Sequence, residues 1–110
     1  MRSAILRVGS MPVENLPQAF AHPKVKSLPD QVQRAYRTLM GARRTCTFAE
    51  YSKDEAEQAI KRSLRGQSSP MTPESVIDVL TEHGLVVTVG GQYWFLTPAQ
   101  SEAGEIFAEA

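Results

Sequence analysis

Along this chain of 110 residues, apolar positions fall at helical spacing in some stretches and alternate in others. "LPDQVQRAYRTLMGARR" sets Val32, Ala35, Tyr36 and Leu39 at i, i+3, i+4 and i+7, one face of a 3.6-residue period, and predicts a first helix. Ser27 or Asp30 supplies its N-terminal cap, and Gly41 marks its expected end. A second helix is expected from near "TFAE" through "SKDEAEQAIKRSLRG", with Ala56, Ala59, Ile60 and Leu64 as its buried stripe. Thr47 with Glu50 and Ser52 with Glu55 both have capping-box spacing. The helix therefore starts at either, or a short helix breaks into a longer one, and Gly66 ends it. "TPESVIDVLTEHGL" carries the fullest set of signals. Thr72 caps, Pro73 takes the first helical position, and Val76, Ile77 and Leu80 face the core. Gly84 followed by Leu85 fits a left-handed, Schellman-type end.

The pattern then changes period. "LVVTV" and "QYWFL" flank Gly90 and Gly91, which suit the positive φ values of a two-residue hairpin turn. That turn pairs Leu85 with Leu96, Val86 with Phe95, Val87 with Trp94, and Thr88 with Tyr93. The face carrying Leu85, Val87, Val89, Trp94 and Leu96 is expected to be core. The opposite face, with Val86, Tyr93 and Phe95, is also apolar, so something should cover it. In "TPAQSEAGEIFAEA", Thr97 with Gln100 and Pro98 open a last helix striped by Ala99, Ala103, Ile106 and Phe107. Upstream, Pro12, Pro17, Pro23 and Pro29 forbid a long helix. They predict an extended arm over residues 1–27, with a short turn at "NLPQAF" and a strand as one option for "MRSAILRV". The fold class expected is mostly α with a small β-hairpin.

Length allows one compact domain and is too short for two. No apolar run approaches the roughly 18–20 residues of a membrane span, so none is expected. Arg2 and Arg7 bracket only "SAIL", so a secretory leader is not expected. The single cysteine, Cys46, has no internal disulfide partner, and a cytoplasmic protein is expected. Catalytic and metal chemistry find little support. His22 and His83 have no nearby cysteine or paired carboxylates at ligand spacing. The "GG" at 90–91 lacks the spacing and the lysine of a phosphate loop. Neither an enzyme, nor a cofactor, nor a metal site is expected.

Charge changes the picture. Residues 1–65 hold all 12 basic residues and six acidic ones, a balance of +6. Residues 66–110 hold no lysine or arginine and six acidic residues, a balance of −6. Asymmetry on this scale concerns partners more than fold.

Residues 72–107 carry a resemblance. "VIDVLTEHGLVVTVGGQYWFLTPAQSEAG" is similar to the recognition helix, "L-x-x-x-G-L-V", wing and "Y-x-L-T-x-x-G" pattern of winged helix-turn-helix regulators of the MarR and PadR type. The resemblance implies a winged-helix domain over 28–110 behind an arm at 1–27. It makes "TPESVIDVLTEH" the recognition helix and "TVGGQ" the wing tip. The exposed positions of that helix, however, are Glu74, Ser75, Asp78, Thr81 and Glu82, and neither helix nor wing offers a cation to a phosphate. The nucleic-acid contact is therefore expected from the basic half, through Arg34, Arg37, Arg43, Arg44, Lys53, Lys61, Arg62 and Arg65. The function expected is a small DNA-binding protein, a transcriptional or plasmid- or phage-type regulator. The alternative is a protein-interaction module that uses the acidic third helix and the apolar wing face without DNA. A homo-oligomer, dimer or larger, is expected through Val86, Tyr93 and Phe95. Ile106 and Phe107, or the arm, would supply the cover.

Overall fold

A computed structural model describes residues 15–43 and 48–103. Among them it has α1 (Leu16–Ala21), α2 (Pro23–Lys26), α3 (Asp30–Arg43), β1 (Phe48–Ser52), α4 (Lys53–Ser63), α5 (Pro73–Glu82), β2 (Val86–Val89), β3 (Gln92–Leu96) and α6 (Pro98–Ala103). The protein is mostly helical, with a three-stranded antiparallel sheet of order β1-β3-β2.

The helices start where local chemistry satisfies their first amides. Ser52 accepts from the Glu55 amide while the Glu55 carboxylate accepts from the Ser52 amide, a closed capping box at the head of α4. Thr72 caps α5 through the Ser75 amide, and Thr97 and Gln100 cap α6 reciprocally while both are buried. At the other end of α5, the Gly84 amide donates to the Thr81 carbonyl and the Leu85 amide to the Leu80 carbonyl, with Gly84 at φ +72°. This is the Schellman end expected there.

Four expectations are corrected. First, residues 15–26 are not an extended arm but the two short helices α1 and α2. Asn15 and His22 cap them, and Pro17 and Pro23 sit in the first helical turns, where a proline starts a helix rather than breaking it. Ala19 and Val25 are fully buried, and the Phe20 ring meets Tyr36 edge-on at 5.9 Å. Residues 1–14 lie outside the described residues. Second, "FAEYS" is a strand, so no helix runs through it and α4 begins at the Ser52 box, while Thr47 lies outside the described residues. Third, Gly41 is no helix end, because α3 runs on to Arg43.

Fourth, the hairpin has the register expected, and Leu85 and Leu96 at its base are buried as expected, but toward the turn the opposite face is the inward one. Val86 pairs with Phe95, Val87 with Trp94 and Thr88 with Tyr93, around Gly90 and Gly91 at φ +58° and +79°. β1 adds to the other side of β3, setting Ala49 beside Phe95 and Tyr51 beside Tyr93. Side chains alternate across a sheet, so Ala49, Tyr51, Val86, Tyr93 and Phe95 share one face. That face meets the helices: Phe95, Ala49, Val86 and Tyr51 are buried in the core, and Tyr93 packs against it. Val87, Val89 and Trp94, expected inside, lie on the other face and are half-buried.

Val32, Ala35, Tyr36 and Leu39 of α3, Ala56, Ala59 and Ile60 of α4, and Val76 and Leu80 of α5 join this core. Ile77 stands at its edge. Two buried phenols tie the layers together. Tyr36 donates to the Leu96 carbonyl and Tyr51 to the Leu39 carbonyl, each at 2.6 Å. No helix among the described residues is long and apolar enough to cross a membrane.

Candidate nucleic-acid interface

The buried stripe of α3 decides what the helix shows to solvent. With Val32, Ala35, Tyr36 and Leu39 inward, Arg34, Arg37 and Thr38 are exposed on the opposite side. They line a surface depression with Asp30, Gln31, Gln33 and Gln67. A second depression continues from Thr38 across to α4, where Arg62, Gln58 and Glu55 form its far wall. Glu55, Gln58 and Arg62 fall at i, i+3 and i+7 and so share one stripe of α4. The two depressions make a groove along α3 and α4 with three arginines, two carboxylates and four glutamines.

Local bonds hold parts of this groove in place. The Arg37 guanidinium lies 5.7 Å from the centre of the Phe20 ring, a cation–π contact that limits where the charge sits. The Gln31 amide donates to the Ser69 carbonyl and accepts from the Met71 amide, clasping the loop between α4 and α5 to α3. Gln33 donates to the Lys26 and Leu28 carbonyls, fixing the turn after α2. Gln31 and Gln33 are thus occupied with the protein itself. The arginines are the cations the groove offers a ligand.

The structure thus brings together three of the eight expected cationic residues: Arg34, Arg37 and Arg62. Lys61 and Arg65 are exposed nearby in sequence but line neither depression. Lys53 opens α4, nine residues before Arg62, which places it about half a revolution around the helix and roughly 13 Å along it. It belongs instead to a cleft with Glu57, Pro73, Glu74, Ile77 and Tyr93. Arg43 is the last residue of α3, and Arg44 lies outside the described residues.

The helix that the resemblance makes a recognition helix shows Glu74, Ser75, Asp78, Thr81 and Glu82 to solvent. Its hydroxyls are engaged locally, Thr72 with Ser75 and Thr81 with the Ile77 carbonyl. The hairpin tip exposes Thr88, Gly90 and Gly91. The expected oligomer surface is corrected here too. Val86 and Phe95 are 3 % and 0 % exposed and cannot meet a partner, Tyr93 is half-buried, and Ile106 and Phe107 lie outside the described residues. What covers the Val86–Phe95 face is the chain's own α3, α4 and α5.

His22 accepts from the Lys24 amide as the cap of α2, and His83 bonds the Val79 carbonyl at the end of α5. Both are engaged in helix ends, and no group of three metal-ligating side chains occurs among the described residues. Cys46 lies outside them. No protein-family model matches the chain, and neither a curated protein nor a solved structure shows a significant match to it.

Proposed function

We propose that the protein is a winged-helix nucleic-acid-binding protein that contacts the DNA backbone through the α3–α4 groove rather than through α5. Two features support the winged-helix reading. The elements run helix, strand, helix, helix, strand, strand from α3 to β3, and the first strand pairs with the last. A regulator of transcription, or a plasmid- or phage-type accessory factor, acting in the cytoplasm, is the role this reading carries. The observation that carries the orientation is the segregation of charge. The outward side of α5 has only carboxylates and hydroxyls, while Arg34, Arg37 and Arg62 line one groove. Phosphate neutralisation by cations dominates DNA affinity, so the groove, flanked by Lys61 and Arg65, is the side that attracts a duplex.

A gel shift with random duplex at low and moderate salt tests this. The parent is expected to shift the duplex at low salt. Arg34→Ala with Arg37→Ala and Arg62→Ala should weaken binding on every sequence and flatten the salt dependence by about 0.9 of a log unit per lost phosphate contact. Glu74→Ala with Asp78→Ala should bind as well as the parent or better. Weaker binding by that acidic-helix variant would restore the ordinary orientation, with α5 in the groove of the DNA. The same acidic helix favours one other reading, a protein-interaction module without DNA. Absence of any shift at low salt would select it.

A further inference from the structure

Glu74, Asp78 and Glu82 are exposed at i, i+4 and i+8 of α5, a single stripe of like charge along the whole helix. Like charges four apart disfavour a helix, and no lysine or arginine between residues 66 and 110 offsets them. Beside the stripe lies the cleft between α4, α5 and β3. Pro73, Ile77 and the Tyr93 ring give it apolar surface, and Glu57 and Glu74 stand against the one ammonium of Lys53. An aromatic ring and apolar wall next to carboxylates suit an arginine. Its stem packs on the wall, its guanidinium plane lies on the ring, and its charge reaches the carboxylates.

The chain itself holds the matching surface. Arg34 and Arg37 are exposed three residues apart on α3, about one turn and close to the four-residue step from Glu74 to Asp78 on α5, and Arg62 lies across the same groove. α3 and α5 meet in the core through Val32, Tyr36, Val76 and Leu80, so their outward faces are not opposed within one molecule. We propose that the cleft and acidic stripe of one copy dock the α3–α4 groove of a second copy. The two patches differ, so the contact is heterologous and head to tail, and it leaves a free patch at each end for further copies. This contact needs no nucleic acid and stands whether or not the α3–α4 groove binds DNA.

Sedimentation velocity of the full chain without nucleic acid, at low and then moderate salt, tests the contact. At low salt the parent should sediment as species larger than a monomer, and salt should return it to monomer. Two neutralised variants, Arg34→Ala with Arg37→Ala and Glu74→Gln with Asp78→Gln, should each be monomeric at low salt while still unfolding in a single cooperative melt. Mixed, they should form a 1:1 dimer that grows no further, because the first keeps only the acidic patch and the second only the basic one. A parent that stays monomeric at low salt across micromolar concentrations overturns the proposal. So does association that both variants retain, or a mixture that remains monomeric.

Discussion

Gly84 shows how much one backbone position settles. Its φ of +72° lets α5 stop and the chain turn into β2, and a side chain there would meet more than its own backbone. A Cβ would come within 2.7 Å of Ser101 Oγ, which also accepts from the Lys24 ammonium at 3.3 Å. Gly84→Ala therefore carries two penalties, about 1–2 kcal/mol for the left-handed conformation and a further cost for moving Ser101 off Lys24. Urea unfolding should show Gly84→Ala less stable than the parent, with part of the loss recovered in a Ser101→Ala background. Equal losses in both backgrounds would mean the Ser101 contact is without consequence. Tyr36 makes the same kind of long-range tie through its hydroxyl. Tyr36→Phe leaves the Leu96 carbonyl without its phenol donor in a buried place, at a cost of about 1–3 kcal/mol in the same measurement. The glycine end was legible in the sequence because the Schellman signal is local: helix, Gly84, then an apolar Leu85. The Tyr36 bond was not, since its partner lies 60 residues away.

At the scale of elements, legibility follows the same division. α4 and α6 begin at capping boxes and α5 at the Thr72 cap, each written in four neighbouring residues, and the hairpin turn is set by Gly90 and Gly91. β1 escaped because five residues form a strand only when β3 comes to pair with them, Phe48 opposite Leu96. A faint signal was there: Ala49 and Tyr51 alternate with Glu50 and Ser52. A nearby capping-box spacing at Thr47 competed with it. The inward face of the hairpin was undecidable for a related reason. Both faces are apolar, and only the helices that arrive from outside the hairpin choose between them. Adjacent valines give a matched test of that choice. Val86 is 3 % exposed and on the helix side, while Val87 is half-buried on the other. Val86→Ala should cost about 1.5–3 kcal/mol in urea unfolding, and Val87→Ala clearly less. A larger loss for Val87 would return the core to the face carrying Trp94. The Ser52 box is testable in the same way, with Ser52→Ala expected to lose about 0.5–2 kcal/mol.

For the molecule as a whole, the opposite charges of the two halves could be counted from the sequence. Which cations act together could not. Spacing along α4 puts Lys53 and Arg62 on opposite sides, and only folding sets Arg62 beside Arg34 and Arg37. That grouping has a consequence if the nucleic-acid reading holds. The same arginines would serve a phosphate backbone and the acidic stripe of a second copy, so the two ligands exclude each other in the groove. The stripe then acts as an internal competitor at concentrations where copies associate. Titrating a short duplex into the low-salt oligomer should break it down into duplex-bound monomers rather than build longer assemblies. Removing the competitor with Glu74→Gln and Asp78→Gln should tighten duplex binding, and the gain should grow with protein concentration as more of the parent is tied up in self-contacts. Relief of ordinary charge repulsion would give a gain that is the same at every concentration. A binding curve whose gain does not depend on concentration would therefore separate the two surfaces, leaving association and DNA contact as independent properties of the fold.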